Sequence, residues 1–341
     1  MTPVFRDLRP DEQAECLDLW AQVFSPSHDY FERYFRDPLW QPCYTRVCEA
    51  DGKLVAAMQI VRRPVRLTDG QILWMAGIAN VATRPEYRGR GYASQLLLDL
   101  HRVMDSYDFA FGLLFTGIHD FYARHGWERL PLPLYQATPT PVETSGWRFR
   151  TAEPDDLRAL QHWYEVFYAD HPLSVLRDDA YWRVWTRWDD PQWRRKFYLA
   201  EDNRGAPRGY LALETHSGTD QQGNRVVQEV SLAEMGCEPD DSEAARMLIG
   251  FASQMAHMAG AKLLLFLPES DIERFVRPLL PEVRWIGNGS AMVRVCNGGS
   301  EPAVVLALTF GLPKPESAPI PFELRERYPV RPACYSPVDS F

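Results

Sequence analysis

Apolar residues follow two periodicities along the chain, and each periodicity predicts one kind of element. Spacings of three and four residues, as in Leu96, Leu97, Leu100 and Val103, are typical of amphipathic helices. Alternating or short continuous apolar runs bounded by turn residues predict strands. Up to residue 138 these patterns predict the order β-α-α-β-β-β-α-β-α-β. The predicted strands are 4–9, 45–50, 54–67, 72–83, 109–115 and a segment from 127 onward, and the predicted helices are 11–24, 28–35, 93–106 and 118–125.

The second half of the chain repeats this plan with little sequence identity, so we predict two similar domains in tandem. Its predicted helices are 153–167, 242–259 and 271–279, and its predicted strands are 197–201, 209–215, 226–235, 262–267 and 290–295. Prolines 131, 133, 139 and 141 indicate an extended connector. The predicted fold class is therefore α/β (α+β), with two mixed central sheets flanked by helices. The predicted boundaries are 1–140 and 145–297, followed by a proline-rich tail over 298–341.

Composition and charge narrow the classes of function. The 341 residues are 45% hydrophobic and carry a net charge of −9, with most of the acidic excess beyond residue 140. This balance argues against nucleic-acid or anionic-membrane binding and is compatible with a cationic partner. The sequence shows neither a signal peptide nor a membrane-spanning apolar run, so we expect a cytoplasmic protein. Six scattered cysteines without metal-type spacing predict reduced thiols and no metal site.

One short segment carries a strong chemical signal. Arg88-Gly89-Arg90-Gly91-Tyr92-Ala93 lies between the predicted strand 72–83 and the predicted helix 93–106. Glycines let the backbone curl so that successive N–H groups converge, and a helix start adds free N–H groups and the positive end of its dipole. The segment lacks the third glycine of a dinucleotide-binding loop and the Gly-Lys-Ser/Thr of a nucleoside-triphosphate loop. It therefore predicts a cradle for a different pyrophosphate.

The pattern Arg-x-x-Gly-x-Ala over residues 88–93 resembles the acyl-CoA pyrophosphate loop of the Gcn5-related N-acetyltransferases, the GNAT superfamily. Phe121-Tyr122-Ala123-Arg124-His125-Gly126-Trp127-Glu128 is similar to the second signature of that family. The resemblance covers residues 4–138 and implies acetyl-CoA as the acetyl donor. It assigns the pantetheine arm to Val81, Ala82 and Thr83, the pyrophosphate to Arg88, Gly89, Arg90, Gly91, Tyr92, Ala93 and Ser94, and a bordering role to Gly117 and Ile118.

The resemblance also implies the catalytic groups. Tyr122 occupies the position of the general acid of the family, and the alternative is a tyrosine that only packs. Tandem members, notably the enhanced-intracellular-survival acetyltransferases, use their own C-terminal carboxylate as the base, which here would be that of Phe341, with Asp339 as a second choice. Those enzymes carry a further sterol-carrier-like domain of about 100 residues, for which the tail has no room. The terminal base, a frayed terminus and a homo-oligomer all remain open.

The second half departs from the loop pattern. Glu238-Pro239-Asp240-Asp241-Ser242-Glu243 offers acids where the first half has glycines and arginines, and acids repel a pyrophosphate. Asp241 or Ser242 is expected to cap the following helix. We therefore predict a degenerate second domain and one active site per chain.

The acceptor is expected to be a small-molecule or lysine-type primary amine, such as an aminoglycoside or a polyamine. Tryptophans 163, 182, 185, 188 and 193 could line a cleft for it, or could simply form the core. A non-catalytic acyl-CoA sensor or scaffold is the alternative to an enzyme. Transfer of a long acyl chain, as in the tandem-domain N-myristoyltransferases, is a third possibility.

Overall fold

The computed structural model describes residues 2–24, 28–67, 70–188 and 194–296. These residues form two seven-stranded mixed sheets with helices packed on their faces. This architecture confirms the predicted fold class.

The first sheet has the strand order β1-β2-β3-β4-β5-β14-β6. Every neighbouring pair is antiparallel except β4 and β5, which run parallel because a helix connects them. Its strands are β1 (Val4–Asp7), β2 (Thr45–Ala50), β3 (Lys53–Arg66), β4 (Ile72–Thr83), β5 (Phe109–Phe115), β6 (Glu128–Arg129) and β14 (Ala291–Val295).

The second sheet has the order β13-β7-β12-β11-β10-β9-β8, and its one parallel pair is β11 with β12. The position of that pair matches β4 with β5 of the first sheet. Its strands are β7 (Tyr135–Ala137), β8 (Arg148–Thr151), β9 (Arg195–Glu201), β10 (Pro207–Thr219), β11 (Arg225–Cys237), β12 (Lys262–Leu265) and β13 (Arg284–Trp285).

The two halves exchange a strand. β7 lies within the predicted first domain, 1–140, but pairs with β12 of the second sheet, whereas β14 closes the second half in sequence but pairs with β5 and β6 of the first. The sequence assigned 290–295 to the second half, and the structure corrects this. Pro131 and Pro133 lack the N–H groups that a regular ladder needs, and between them Leu132 forms an isolated bridge with Asn288 before β7 joins the second sheet.

Apolar side chains on the helices bury the sheet faces. Leu96, Leu97 and Leu100 are fully buried against the first sheet, as their spacing predicts. The described helices are α1 (Gln13–Phe24), α2 (His28–Arg36), α3 (Tyr92–Ser106), α4 (His119–Ala123), α5 (Leu157–Tyr168), α6 (Asp179–Tyr181), α7 (Ser242–Met258) and α8 (Glu269–Asp271). No helix among the described residues is both long and apolar enough to cross a membrane.

Four of the five tryptophans considered for a substrate cleft are core residues. Trp163 and Trp182 are buried in the second-half core, whereas Trp185 packs into the first-half core and donates from Nε1 to Asp37 Oδ2 at 3.0 Å. Trp188 is also buried, and Trp193 lies outside the described residues. The interpretation that tryptophans 163, 182, 185 and 188 line a substrate cleft is therefore wrong, because their indole rings fill the interior.

Candidate active site

A slot opens in the first sheet where β4 and β5 part. Their parallel pairing ends at Gly77 with Leu113, although β4 continues to Thr83. Among the described strands, nothing pairs with the last six residues of β4 on the β5 side. Backbone groups of Val81, Ala82 and Thr83, the residues predicted for the pantetheine arm, thus belong to an unpaired strand edge. Such an edge can pair with an extended ligand.

A β-bulge at Asn80 contributes to this divergence. The register with β3 shifts between Ala79 and Ala82, and Asn80 adopts φ 53°, a left-handed conformation that asparagine tolerates better than most residues. Its amide Nδ2 donates to Gln59 Oε1 at 3.2 Å, which fixes the bulge to β3. The sequence analysis did not identify Asn80; an asparagine inside an apolar strand was the available signal.

The glycine bend follows β4 directly. Gly89 has φ 75° and Gly91 has φ 80°, so both occupy the left-handed region that favours glycine. A Cβ atom at either residue would meet no heavy atom within 4 Å, so the space over the bend is open. The two glycines are thus required for the path of the backbone and leave room for a ligand to approach it.

The start of α3 supplies unused hydrogen-bond donors. No side chain caps this helix, and Gly91 is its N-cap residue. Within the described residues, no acceptor is found for the backbone N–H groups of Gly89 through Ser94. These exposed donors, together with the helix dipole, fit a pyrophosphate of acyl-CoA.

Arg88 and Arg90 add positive charge to the bend. Arg88 Nε donates to Thr83 O at 3.2 Å, and the guanidinium of Arg90 lies 4.7 Å from the centroid of the Tyr87 ring. Both are exposed, and among the described residues neither forms an ion pair. Their charges therefore remain available to an anionic ligand.

Tyr122 lies on α4 and packs into the core between α3 and the sheet. Its side chain is buried, with the Phe121 ring at 4.9 Å and the Trp127 ring at 6.3 Å, both edge to face. Burial raises the pKa of Tyr122 to about 12, so the phenol keeps its proton at neutral pH. Tyr122 therefore packs in the core, and its hydroxyl carries the proton that a general acid would donate.

Two histidines connect the predicted loop to the predicted tyrosine helix. His125 Nε2 lies 3.1 Å from Ser94 Oγ, which joins the end of α4 to the first turn of α3. Trp127 Nε1 donates to His101 Nε2 at 3.0 Å. Burial lowers the pKa of His101 to about 4, so its Nε2 is unprotonated and can accept this bond. The two sequence signatures, about 30 residues apart in the chain, are therefore held together in space.

A cavity of about 540 Å³ lies beside α4. Gly117 and Ile118, which the sequence placed near the cofactor, line it together with Phe121, Arg124 and Arg129, whereas Tyr122 faces the core. The exchanged strand closes this region, because Thr116 N–H donates to Ser290 O and His119 Nε2 lies 2.8 Å from Gly289 O. Sequence reasoning missed residues 289–290, since it assigned their strand to the other sheet.

The predicted base, the C-terminal carboxylate of Phe341, lies outside the described residues, and so does its alternative, Asp339. Among the described residues, no cluster of metal-binding side chains is found.

The matching junction of the second half is closed by a carboxylate. Asp241 is the N-cap of α7 and accepts from Ala244 N–H at 3.0 Å, which confirms the predicted cap. Arg208 Nη2 lies 2.7 Å from the other oxygen of that carboxylate. A second pyrophosphate would meet this negative charge instead of free N–H groups.

Comparisons with known proteins agree with this geometry. Residues 4–130 match the family model described as the acetyltransferase (GNAT) domain. No curated protein sequence matches the chain.

Several solved structures share the fold over most of the chain. A probable N-acyltransferase from Enterococcus faecalis V583 aligns with a TM-score of 0.67 and 16% identity, covering 91% of this chain and 75% of its own. Eis1 from Mycobacterium abscessus aligns with a TM-score of 0.62 and 16% identity, covering 90% and 76%. The N-myristoyltransferase of Saccharomyces cerevisiae with bound myristoyl-CoA aligns with a TM-score of 0.57 and 12% identity, covering 88% and 80%. At these identities the likeness concerns the fold.

Proposed function

We propose that the chain is an acyltransferase that transfers the acetyl group of acetyl-CoA to a primary amine, because residues 4–130 match the acetyltransferase (GNAT) domain and a probable N-acyltransferase shares the fold. The observation that carries this proposal is the uncapped start of α3 behind two left-handed glycines. N–H donors that have no acceptor in the described part of the chain are the feature a pyrophosphate requires.

The donor would lie along the slot in the first sheet. We propose that the N–H groups of residues 89–94 hold the pyrophosphate, with Arg88 and Arg90 balancing its charge. The pantetheine arm would then pair with the free edge of β4 at Val81, Ala82 and Thr83, like an added strand. Gly117 and Ile118 line a cavity beside the same strand ends, which supports their proposed place next to the donor.

The transfer would proceed directly within a ternary complex. The amine nitrogen forms a bond to the thioester carbonyl carbon, the carbon–sulfur bond breaks, and the departing sulfur takes a proton from the Tyr122 hydroxyl. The proton released by the nitrogen goes to a base, for which the Phe341 carboxylate stays the prediction and Asp339 its substitute. The position of Tyr122 on α4, next to the residues that line the cavity beside the proposed donor slot, supports its role.

The acceptor would be an amine that is protonated, and therefore cationic, before it reacts. The net charge of −9 supports such a substrate, because negative potential attracts protonated amines. An aminoglycoside, a polyamine and a lysine side chain all satisfy this chemistry.

Release of free thiol from acetyl-CoA across a panel of amines tests the proposal. We expect turnover with at least one amine, and we expect Tyr122→Phe to lower kcat by about 100-fold or more. Binding of CoA should be unchanged in that variant. Tyr107→Phe is the matched control, because Tyr107 is exposed and on the same half.

Three results would count against the proposal. Tight CoA binding without thiol release for any amine would favour the non-catalytic sensor. Full activity of Tyr122→Phe would remove the tyrosine from the chemistry. Faster transfer from myristoyl-CoA than from acetyl-CoA would shift the donor class to long acyl chains.

A further inference from the structure

The second half keeps a slot of its own. β11 and β12 pair in parallel until Leu232 and Leu265, after which β11 continues to Cys237. A register shift between Ala212 and Leu213 of β10 marks a bulge in β11 at this point, as in β4. The divergence that creates the donor slot in the first half is therefore repeated in the second half.

A cavity of about 520 Å³ lies at the mouth of this second slot. It is formed by the end of α5, by Pro239 after β11 and by the segment after β12 that contains α8. Val166, Phe167 and Phe275 give it an apolar wall. The wall fits a hydrocarbon or aromatic group.

Negative charge dominates the polar part of the lining. Four carboxylates, those of Asp170, Glu269, Asp271 and Glu273, face one guanidinium, that of Arg274. Glu273 is compensated from outside the cavity by Arg277, whose Nη2 lies 2.7 Å from Glu273 Oε1. Three carboxylates and one arginine remain.

The carboxylates of the lining also contribute to raised pKa values of two neighbouring side chains. Burial raises the pKa of Tyr135 to about 12, and the charges of Glu269 and Glu273 act in the same direction. Burial raises the pKa of Cys237 to about 12, with Asp241, Asp271 and Glu238 adding to the shift. Two side chains on different strands thus lie within the field of these carboxylates.

A buried pair fixes one of the carboxylates in the wall. His171 Nε2 lies 3.0 Å from Asp271 Oδ2, and the side chains are 14% and 9% exposed. The other ring nitrogen, Nδ1, is buried without a hydrogen-bond partner in the described part of the chain. The imidazole therefore holds the Asp271 carboxylate at a fixed position in the cavity wall.

We propose that this second-half cavity binds a protonated amine that carries an apolar group. The ammonium lies among the carboxylates of Asp170, Glu269 and Asp271, and the apolar group lies against Phe167 and Phe275. The second-half slot, which matches the donor slot of the first half, thus binds a cation instead of an anionic pyrophosphate. This site is distinct from the one in the first half and does not depend on acetyl transfer.

Binding of 2-phenylethylamine, measured by calorimetry with the full chain saturated in CoA, tests the inference. Using CoA without an acetyl group prevents any transfer, so the result is independent of the proposed reaction. We expect saturable binding, and we expect 2-phenylethanol, which has the same shape without the charge, to bind at least about tenfold more weakly.

Charge removal at the cavity identifies the site. The double variant Asp170→Asn, Glu269→Gln changes two exposed side chains, so the fold should persist, and it should weaken amine binding by about tenfold or more. Asp155→Asn removes a carboxylate elsewhere in the second half and should change nothing. Thiol release by the double variant should be normal. The inference is overturned by equal binding of amine and alcohol, by unchanged amine binding in the double variant, or by absence of saturable binding.

Discussion

At Gly91 the first half begins a helix without a capping side chain, whereas at Asp241 the second half begins the matching helix with a carboxylate that accepts from Ala244 N–H. Both junctions follow a strand that parts from its parallel neighbour. The first junction leaves its N–H groups to a ligand, and the second satisfies one of them internally. The comparison teaches that the fold supplies the slot and that a few loop residues decide its ligand.

We expect the largest effect from a substitution that gives the first-half junction a carboxylate like the one at the second-half junction. Gly91→Asp introduces a carboxylate at the proposed pyrophosphate site and forces an L residue into φ 80°. We expect the Kd for CoA to rise by at least about 100-fold, equivalent to about 2.7 kcal/mol. Calorimetric titration measures it.

Gly205→Asp is the matched control for this variant. Gly205 has φ 75° in an open turn of the second half, so the strain and the added charge are equal. Its CoA affinity should match that of the parent chain. Similar losses of affinity in both variants would show that strain, rather than the site, is responsible.

Lowering the pH should reduce the free energy of unfolding through His101, the residue of α3 that accepts a hydrogen bond from Trp127. The folded pKa of His101 is about 4, below the ordinary value of 6.5. The unfolded chain therefore binds the proton first, and the free energy of unfolding falls as pH drops through this window. Between pH 7 and pH 5 the loss from this group is about 2 kcal/mol.

Urea unfolding at the two pH values, for the parent chain and for His101→Gln, measures this loss. Between pH 7 and pH 5, the free energy of unfolding of the variant should fall by about 2 kcal/mol less than that of the parent chain. Glutamine can accept from Trp127 Nε1 without titrating. Identical pH dependence in both proteins would contradict a buried, neutral His101.

The smallest effect concerns the cap of the second half. Asp241→Ala removes the acceptor for Ala244 N–H and should lower the free energy of unfolding by about 1 kcal/mol. It should not create a second CoA site, because Glu238 and Asp240 remain and the glycines of the first half are absent. A second CoA bound by this variant would show that the cap alone had excluded it.

Local patterns were sufficient to predict most elements. Strands 45–50, 72–83 and 109–115 were predicted at their observed bounds, because segments rich in β-branched, aromatic and other apolar residues end there near turn residues. The glycine bend was predicted because its chemistry resides in consecutive residues. Asp241 was predicted as a cap for the same reason.

Features that depend on distant residues were missed. The partner of residues 291–295 is β5, nearly 180 positions earlier, and nothing in a short apolar strand specifies its sheet. The contact of His125 with Ser94 likewise depends on the packing of two helices. The buried tryptophans show that an aromatic pattern alone does not distinguish a core from a cleft.

The stoichiometry of CoA binding to the intact chain tests the central claim most directly. Calorimetric titration should give one site per chain, because the first-half junction combines uncapped N–H groups with two exposed arginines, whereas the carboxylate of Asp241 occupies the matching junction of the second half. Loss of that single site in Gly91→Asp would place it at the bend. Two sites of similar affinity, or one site that persists in Gly91→Asp, would contradict the account.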